Sequence, residues 1–276
     1  MTFFIFLFVF IFGAIIGSFL NVALFRYNTG RGTSGRSACL SCGTKLSSRD
    51  LVPIFSFLFS RGRCNYCGSA ISWQYPIIEA VTGFVFVAVV YTEMATFSSS
   101  IASNFQFSIF NFQFLPLLLV TCYLLFVFSI LIAITAYDIR HKIIPNGLVW
   151  MFVFVSLIQS VFLSSGGQLF IYDLLAGPIL ALFFAAIWFF SGGRAMGLGD
   201  AKLALGIGLM LGFFDGVSAL LLSFWIGGLV GVFLLLVKRE RFTMKSEIPF
   251  APFLTISAFL VYFFQFDFFG IKDLFL

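Results

Sequence analysis

Residues 114–136 read FLPLLLVTCYLLFVFSILIAITA, and Tyr137, Asp138, Ile139 and Arg140 follow. The stretch carries no charge before Asp138. A bilayer's hydrocarbon core needs about 20 such residues in a helix, so this segment reads as a membrane span. Working outward, seven more apolar segments recur: 3–25, 76–92, 146–163, 173–190, 201–214, 217–237 and 249–266. Of the 276 residues, 61% are hydrophobic, 10% are charged and 43 are Phe, and the mean hydropathy is +1.09. A soluble domain carries about 25% charged residues, which excludes a soluble globular fold. Disordered chains are poor in apolar and aromatic residues, so disorder is excluded too. A membrane barrel would alternate in polarity over stretches of about 10 residues, whereas these runs are long and uninterrupted. The expected fold is an all-α polytopic membrane protein of about eight transmembrane helices. Segment 201–214 is short for a full span, and a re-entrant or half-length helix is the alternative there. The first segment has no basic residue ahead of it and Arg26 behind it, the reverse of a secretory signal.

Lys and Arg set the orientation, because they concentrate in cytoplasmic loops. The loop 26–75 carries Arg26, Arg31, Arg36, Lys45, Arg49, Arg61 and Arg63. Arg140 and Lys142 follow the third span, Arg194 and Lys202 flank the fifth connection, and Lys238, Arg239, Arg241 and Lys245 fill the seventh. On an eight-helix map these lie on one face, and only Lys272 lies on the other. That face is therefore cytoplasmic and both termini are outside. The loop 93–113 has no basic residue and repeats Asn-Phe-Gln-Phe at 104–107 and 111–114, so it belongs outside or in the interface. Topology accounts for the net charge of +5, with some attraction to anionic membrane lipid, and no nucleic-acid partner is needed.

Three regions result: a first transmembrane helix at 1–25, a cytoplasmic loop at 26–75 and a membrane core at 76–276. The loop holds Cys39, Cys42, Cys64 and Cys67 as two CxxC pairs separated by 21 residues, slightly beyond the usual zinc-ribbon window. Each CxxC turn presents two sulfurs at one point, and two turns complete a tetrahedron around Zn²⁺. Gly43 and Gly68 follow each pair, where a tight turn favours glycine. Thiols with another role are one competing reading. Disulfides are another, disfavoured in a reducing compartment. A four-thiolate site leaves no open position for substrate, so its expected role is structural. Cys122, inside the third span, reads as core.

Most of the eleven acids lie at helix ends, in the tail or in basic loops. Two stand out. Asp138 ends the third span, and Asp200 opens the sixth, in Gly197-Leu198-Gly199-Asp200-Ala201-Lys202. The Lys/Arg map puts both on the same side at similar depth. Acids at a bilayer are costly and usually face an interior or water-filled site. Two carboxylates at one water can share a proton, one serving as base and the other as hydrogen-bond donor. Gly197 and Gly199 would let the backbone bend and let substrate approach. The competing reading makes each Asp an interfacial anchor, with Arg140 or Lys202 as its ion partner.

Taken in order, these motifs resemble the type IV prepilin peptidases, bacterial membrane aspartyl proteases. The resemblance covers nearly the whole chain. It starts at Gly17-Ser18-Phe19-Leu20-Asn21-Val22 and runs through the paired CxxC loop and Trp73-Gln74-Tyr75-Pro76-Ile77-Ile78-Glu79. It continues through Asp138 with Ile144-Pro145-Asn146 and the GxGD form at Gly197–Asp200 with Lys202, and ends at Pro249-Phe250-Ala251-Pro252-Phe253. Ala251 departs from the family's usual Gly. The resemblance implies cleavage of the basic leader of prepilins or pseudopilins after Gly, at the cytoplasmic face of the bacterial inner membrane. It makes Asp138 and Asp200 the catalytic pair. It further implies N-methylation of the new N-terminus with S-adenosylmethionine, although no glycine-rich nucleotide fingerprint locates a donor site. A peptidase without methyltransferase activity, or a non-enzymatic assembly or transport component, are the alternatives.

Supporting residues are expected at Gly197, Gly199, Lys202, Asn21 and Glu79. Ser18 and Asn21 share a helix face, as cavity lining or as interhelical hydrogen-bonding groups. Glu79 either pairs with a loop Arg or serves the second activity. Gly13 with Gly17, and Gly227 with Gly231, read as close helix packing. His141, between Arg140 and Lys142, reads as solvated, and the Phe excess as lipid-facing bulk.

Overall fold

Each of the eight apolar segments is a helix in the computed structural model, which describes residues 2–27, 37–103, 114–163, 168–237 and 248–266. The helices are α1 (Thr2–Arg26), α2 (Phe55–Phe59), α3 (Gln74–Ser103), α4 (Phe114–His141), α5 (Asn146–Leu163), α6 (Gln168–Ser191), α7 (Leu198–Leu211), α8 (Phe213–Val237) and α9 (Ala251–Phe264). Inside the cysteine loop, α2 and a short 3₁₀ turn at Ser48–Leu51 are additions to the expected elements. Helices α1, α3, α4, α6 and α8 are long and apolar enough to cross a membrane. α5 and α9 are shorter, and α7, at 14 residues, is about 21 Å long. Arg31, Arg36, the Asn-Phe-Gln-Phe repeats before Phe114, the basic run Lys238–Lys245 and Lys272 lie outside the described residues.

The chain forms two compact units, Met1–Ala133 and Ile134–Leu276. In the first, α1 and α3 run antiparallel at close range. A Cβ on Gly13 would come within 2.9 Å of the Gly83 Cα, and one on Gly17 within 2.8 Å of the Glu79 Cα. Side chains much larger than hydrogen cannot occupy those positions, so the small-residue pair does pack helices. Aromatic pairs continue the seam: Phe10 with Phe84 at 5.1 Å near one end, and Phe25 stacked on Tyr75 at 4.9 Å at the other. Cys122 is exposed, against the expectation of a core position. An apolar span can turn a small thiol towards lipid at little cost.

The second unit is built around α7. Asp200, Ala201, Leu203, Ala204 and the run Gly206–Met210 are buried, which leaves this helix almost no face towards lipid. α6 runs antiparallel to it, with Gly208 against the Ala176–Gly177 backbone and Gly212 against the Asp173 carboxylate. α5 lays Phe152 over Gly206. Gly212, at φ +80°, is the single residue between α7 and α8, and α8 turns back to place Gly216 beside Gly208. Phe184, Phe224 and Phe250 join α6, α8 and the approach to α9. The Thr135 hydroxyl donates to Thr255 at 2.9 Å, tying the end of α4 to α9. Gly227 packs on Phe253 as expected of a small-residue pair, but Gly231 faces open space.

Candidate active site and metal centre

Asp138 lies one turn before the C-terminal end of α4, and Asp200 is the third residue of α7. Both are nearly buried, 4% and 7% exposed, and Asp200 lies close enough to feel the charge of Asp138. Sequence alone placed them on one side of a membrane, and folding brings them to one site. Each carboxylate has one oxygen held by a backbone N–H. The Gly197 N–H donates to Asp200 Oδ2 at 3.2 Å, an arrangement in which the acid caps the helix it opens. The Ala251 N–H donates to Asp138, while Asp138 Oδ2 is buried with no partner. A buried carboxylate oxygen without a donor is costly in a structure that serves packing alone.

The supporting residues around this pair have separate tasks. Gly197 is extended, at φ −80° and ψ 149°, and leads into α7. Gly199 receives Ile144, whose Cβ would lie 3.0 Å from an added Cβ. The turn after α4 thereby seats on the start of α7. Lys202 donates to Asn146 Oδ1 at 2.9 Å and so ties α7 to the first residue of α5. The anchoring alternative, in which Lys202 pairs with Asp200, is not what its ammonium does. His141 is exposed and stacks on Tyr137 at 4.4 Å. Sequence reasoning marked Ala251 only as a departure from the family's usual Gly and not as a donor to Asp138. Its contribution is a main-chain N–H, which leaves no side-chain signal to read.

In the first unit, Asn21 and Glu79 come together on the α1–α3 seam. Asn21 is fully buried, donates from Nδ2 to the Tyr75 carbonyl at 3.2 Å, and leaves Oδ1 unpartnered. Glu79 accepts the Ile54 N–H at 2.7 Å and the Ser18 hydroxyl. Ser18 is therefore an interhelical hydrogen-bonding group, and Glu79 holds the cysteine loop by its main chain.

That loop contains two knuckles of one design. Cys39 N–H donates to the Thr44 carbonyl and Gly43 N–H to Cys39, and Cys64, Ser69 and Gly68 repeat the pattern. Gly43 and Gly68 sit at φ +71° and +72°, a conformation glycine adopts without strain. The four sulfurs lie within 4.8 Å of one another, and Cys39 and Cys67 are 3.9 Å apart. A tetrahedron of thiolates at about 2.3 Å from Zn²⁺ has S···S edges of about 3.8 Å, so the donor set fits. Backbone N–H groups of Cys42 and Ser41 hold the Cys39 thiol down to about 6, and the Ser69 hydroxyl lowers that of Cys67. Both shifts favour the thiolate that a metal requires. Asp50, read as one more acid in a basic loop, bridges the knuckles. It accepts from the Ser47 N–H and hydroxyl, Asn65 Nδ2 and the Tyr66 hydroxyl.

Residues 11–93 match the family described as Bacterial Peptidase A24 N-terminal domain, and residues 125–232 match the Type IV leader peptidase family. Among curated proteins, the chain is 31% identical over 254 residues to a prepilin leader peptidase/N-methyltransferase of Bacillus subtilis (strain 168), covering 92% of each chain. It is 27% identical over 285 residues to the protein of that name from Aeromonas hydrophila, covering 91% of this chain and 88% of the relative. With that of Dickeya chrysanthemi the identity is 29% over 281 residues, covering 89% and 87%. No solved structure matches the chain. With paired aspartates in one unit, a four-cysteine loop in the other and relatives aligned over almost their full length, the chain belongs to the type IV prepilin leader peptidase family.

Proposed function

We propose that this protein cleaves the basic leader of prepilins or pseudopilins after Gly, by an aspartate pair, at the cytoplasmic face of the bacterial inner membrane. The observation that carries this reading is that Asp138 and Asp200, from different helices, are both buried, with Asp200 close enough to feel the charge of Asp138 and each steadied by one backbone N–H. In the reaction the pair shares one proton, and it titrates as a unit. The ionised carboxylate takes a proton from a water, whose oxygen attacks the scissile carbonyl carbon. The protonated one hydrogen-bonds the carbonyl oxygen as it becomes an oxyanion. Collapse of the tetrahedral intermediate breaks the C–N bond, and the amine leaves with a proton from the pair. Gly197 and Gly199 shape the backbone here, and Lys202 with Asn146 holds the start of α7 in place.

The second step in this reading is N-methylation of the new terminus. S-adenosylmethionine supplies the methyl group when bound, and no residue set in the described chain is assigned to hold it. Asn21 and Glu79 are supporting residues of this reading. The cysteines hold a structural Zn²⁺, and membrane lipid surrounds the helices.

Co-expression with a prepilin tests both steps. The parent should yield product beginning after Gly, and Asp138→Asn and Asp200→Asn should each abolish cleavage while still accumulating in the membrane. Cleavage at parental rates by both variants would make the carboxylates structural anchors. A +14 Da product mass identifies the methyltransferase, and its absence leaves a peptidase alone.

A further inference from the structure

The cysteine loop carries an apolar face that the proposed chemistry does not use. α2 turns Phe57 inward, 7% exposed, beneath Gly62 and 4.9 Å from the Trp73 ring. It turns Phe55, Leu58 and Phe59 outward, at 58%, 59% and 84% exposed, and Trp73, whose ring packs on Phe57, is 69% exposed. The Phe55 and Phe59 rings stack at 6.4 Å, which makes one continuous patch. Arg61 and Arg63 follow immediately, both exposed, and residues 51–63 contain no acid.

The depth of this patch is fixed independently. Ile54, the residue ahead of α2, donates its N–H to Glu79 at 2.7 Å. Glu79 is the sixth residue of α3, within the membrane span Gln74–Phe97. Five residues of helix rise about 7–8 Å. α2 is therefore pinned level with the outer turns of a membrane-crossing helix, where headgroups meet acyl chains. Trp73, directly before α3, occupies the position that interfacial tryptophans prefer. An apolar patch at that depth, rimmed by arginine, has the chemistry of a segment lying in the bilayer surface. We infer that Phe55, Leu58, Phe59 and Trp73 insert into the lipid interface, with Arg61 and Arg63 on anionic headgroup phosphates, and so hold the cysteine module flat against the membrane. Lipid is favoured over a substrate leader here because a basic leader would meet like charge.

Full-length enzyme in nanodiscs tests this. With p-benzoylphenylalanine in place of Phe59, irradiation should give lipid adducts, as it should at Phe190, an 86%-exposed residue of α6. The Phe59 adducts should contain phosphatidylglycerol at least twofold above its mole fraction, and Arg61→Gln with Arg63→Gln should remove that enrichment. Lipid adducts at Phe190 but not at Phe59 would overturn the inference. So would adducts at Phe59 with a co-reconstituted prepilin, which would make the patch a protein-docking surface. A second arm leaves α2 unaltered and keeps Trp73 as the sole tryptophan. Lipid brominated near the headgroup should quench its fluorescence at least twofold more than lipid brominated deep in the chain, and quenching by neither would sink the idea.

Discussion

At the scale of single residues, the two aspartates are legible because acids are rare in such a chain, and a carboxylate beside hydrocarbon needs a reason. Their partners are not legible. Ala251 acts through its N–H, so its departure from the family's usual Gly leaves the contact with Asp138 intact. Any residue except proline can make that bond. Ala251→Pro deletes that donor, but Phe250 ahead of it is in the helical region, at φ −95° and ψ −26°, which a following proline disfavours, and Ala251 is fully buried, so membrane accumulation is measured beside activity. In Ala251→Pro protein that accumulates, cleavage should fall about ten- to a hundredfold, the equivalent of about 1.5–3 kcal/mol for a hydrogen bond to a charged group. Parental cleavage rates in a variant that accumulates normally would show that this N–H does not matter. Asp50 was equally unreadable, because its partners Ser47, Asn65 and Tyr66 converge only once both knuckles have formed. The Ser47 hydroxyl and N–H, then Asn65, hold its carboxyl down to about 2. A folded value below the ordinary one means the contribution is complete above about pH 4 and disappears as pH falls towards 2. Hydrogen exchange of amides 44–50 in chelator-stripped, reduced enzyme, corrected for intrinsic rates, should accelerate across that window. In Asp50→Ala the same amides should exchange fast at every pH, and a parental profile in that variant would remove Asp50 from the account.

At the scale of elements, the long apolar runs locate each helix, because in hydrocarbon the helix is the simplest way to satisfy each backbone group, but not its length: α3, expected to end at 92, runs to Ser103, and α4, expected to end at 136, runs to His141. What the runs did not reveal is which faces pack. α7 alternates glycine with bulky apolar residues, and composition does not distinguish a packing glycine from an idle one. The neighbours do. A Cβ on Gly208 would fall 2.7–2.8 Å from the Gly177 Cα and the Ala176 carbonyl, main-chain atoms that cannot rotate aside. A Cβ on Gly231 meets nothing within 4 Å. Gly208→Ala should therefore destabilise the protein by about 1–3 kcal/mol, while Gly231→Ala should stay within about 0.5 kcal/mol. Thermal unfolding of the two variants in one detergent, followed by the accessibility of buried side chains, measures both. Equal midpoints would mean that α6 and α7 are not held at the distance Gly208 requires. The same contacts explain why α7 can be short. A helix enclosed by α5, α6 and α8 has no lipid length to match.

At the scale of the whole molecule, α7 also decides how many times the chain crosses the membrane, a point its apolar run of 14 residues left open. Its contacts argue for a crossing. α7 begins beside Asp200 and runs antiparallel to α6, passing Gly177 at Gly208 and reaching Asp173 at Gly212. Asp173 is the sixth residue of α6, whose own apolar span starts at Ile171. The two ends of α7 therefore lie near opposite ends of a helix that itself spans the bilayer. A re-entrant segment would instead return to the side it entered from. If α7 crosses and α8 and α9 cross after it, the end of α9 is expected opposite the Asp138 and Asp200 ends. Reporter fusions read this directly. Green fluorescent protein should fluoresce when fused after Lys142 or Arg194, on the basic side, and alkaline phosphatase should be active after Leu163 and at the C-terminus. Fluorescence at the C-terminal fusion with the other three unchanged would make α7 re-entrant. The basic run Lys238–Lys245 would then lie on the side opposite the other basic loops, and the contact between Gly212 and Asp173 would have to form within a membrane-embedded hairpin.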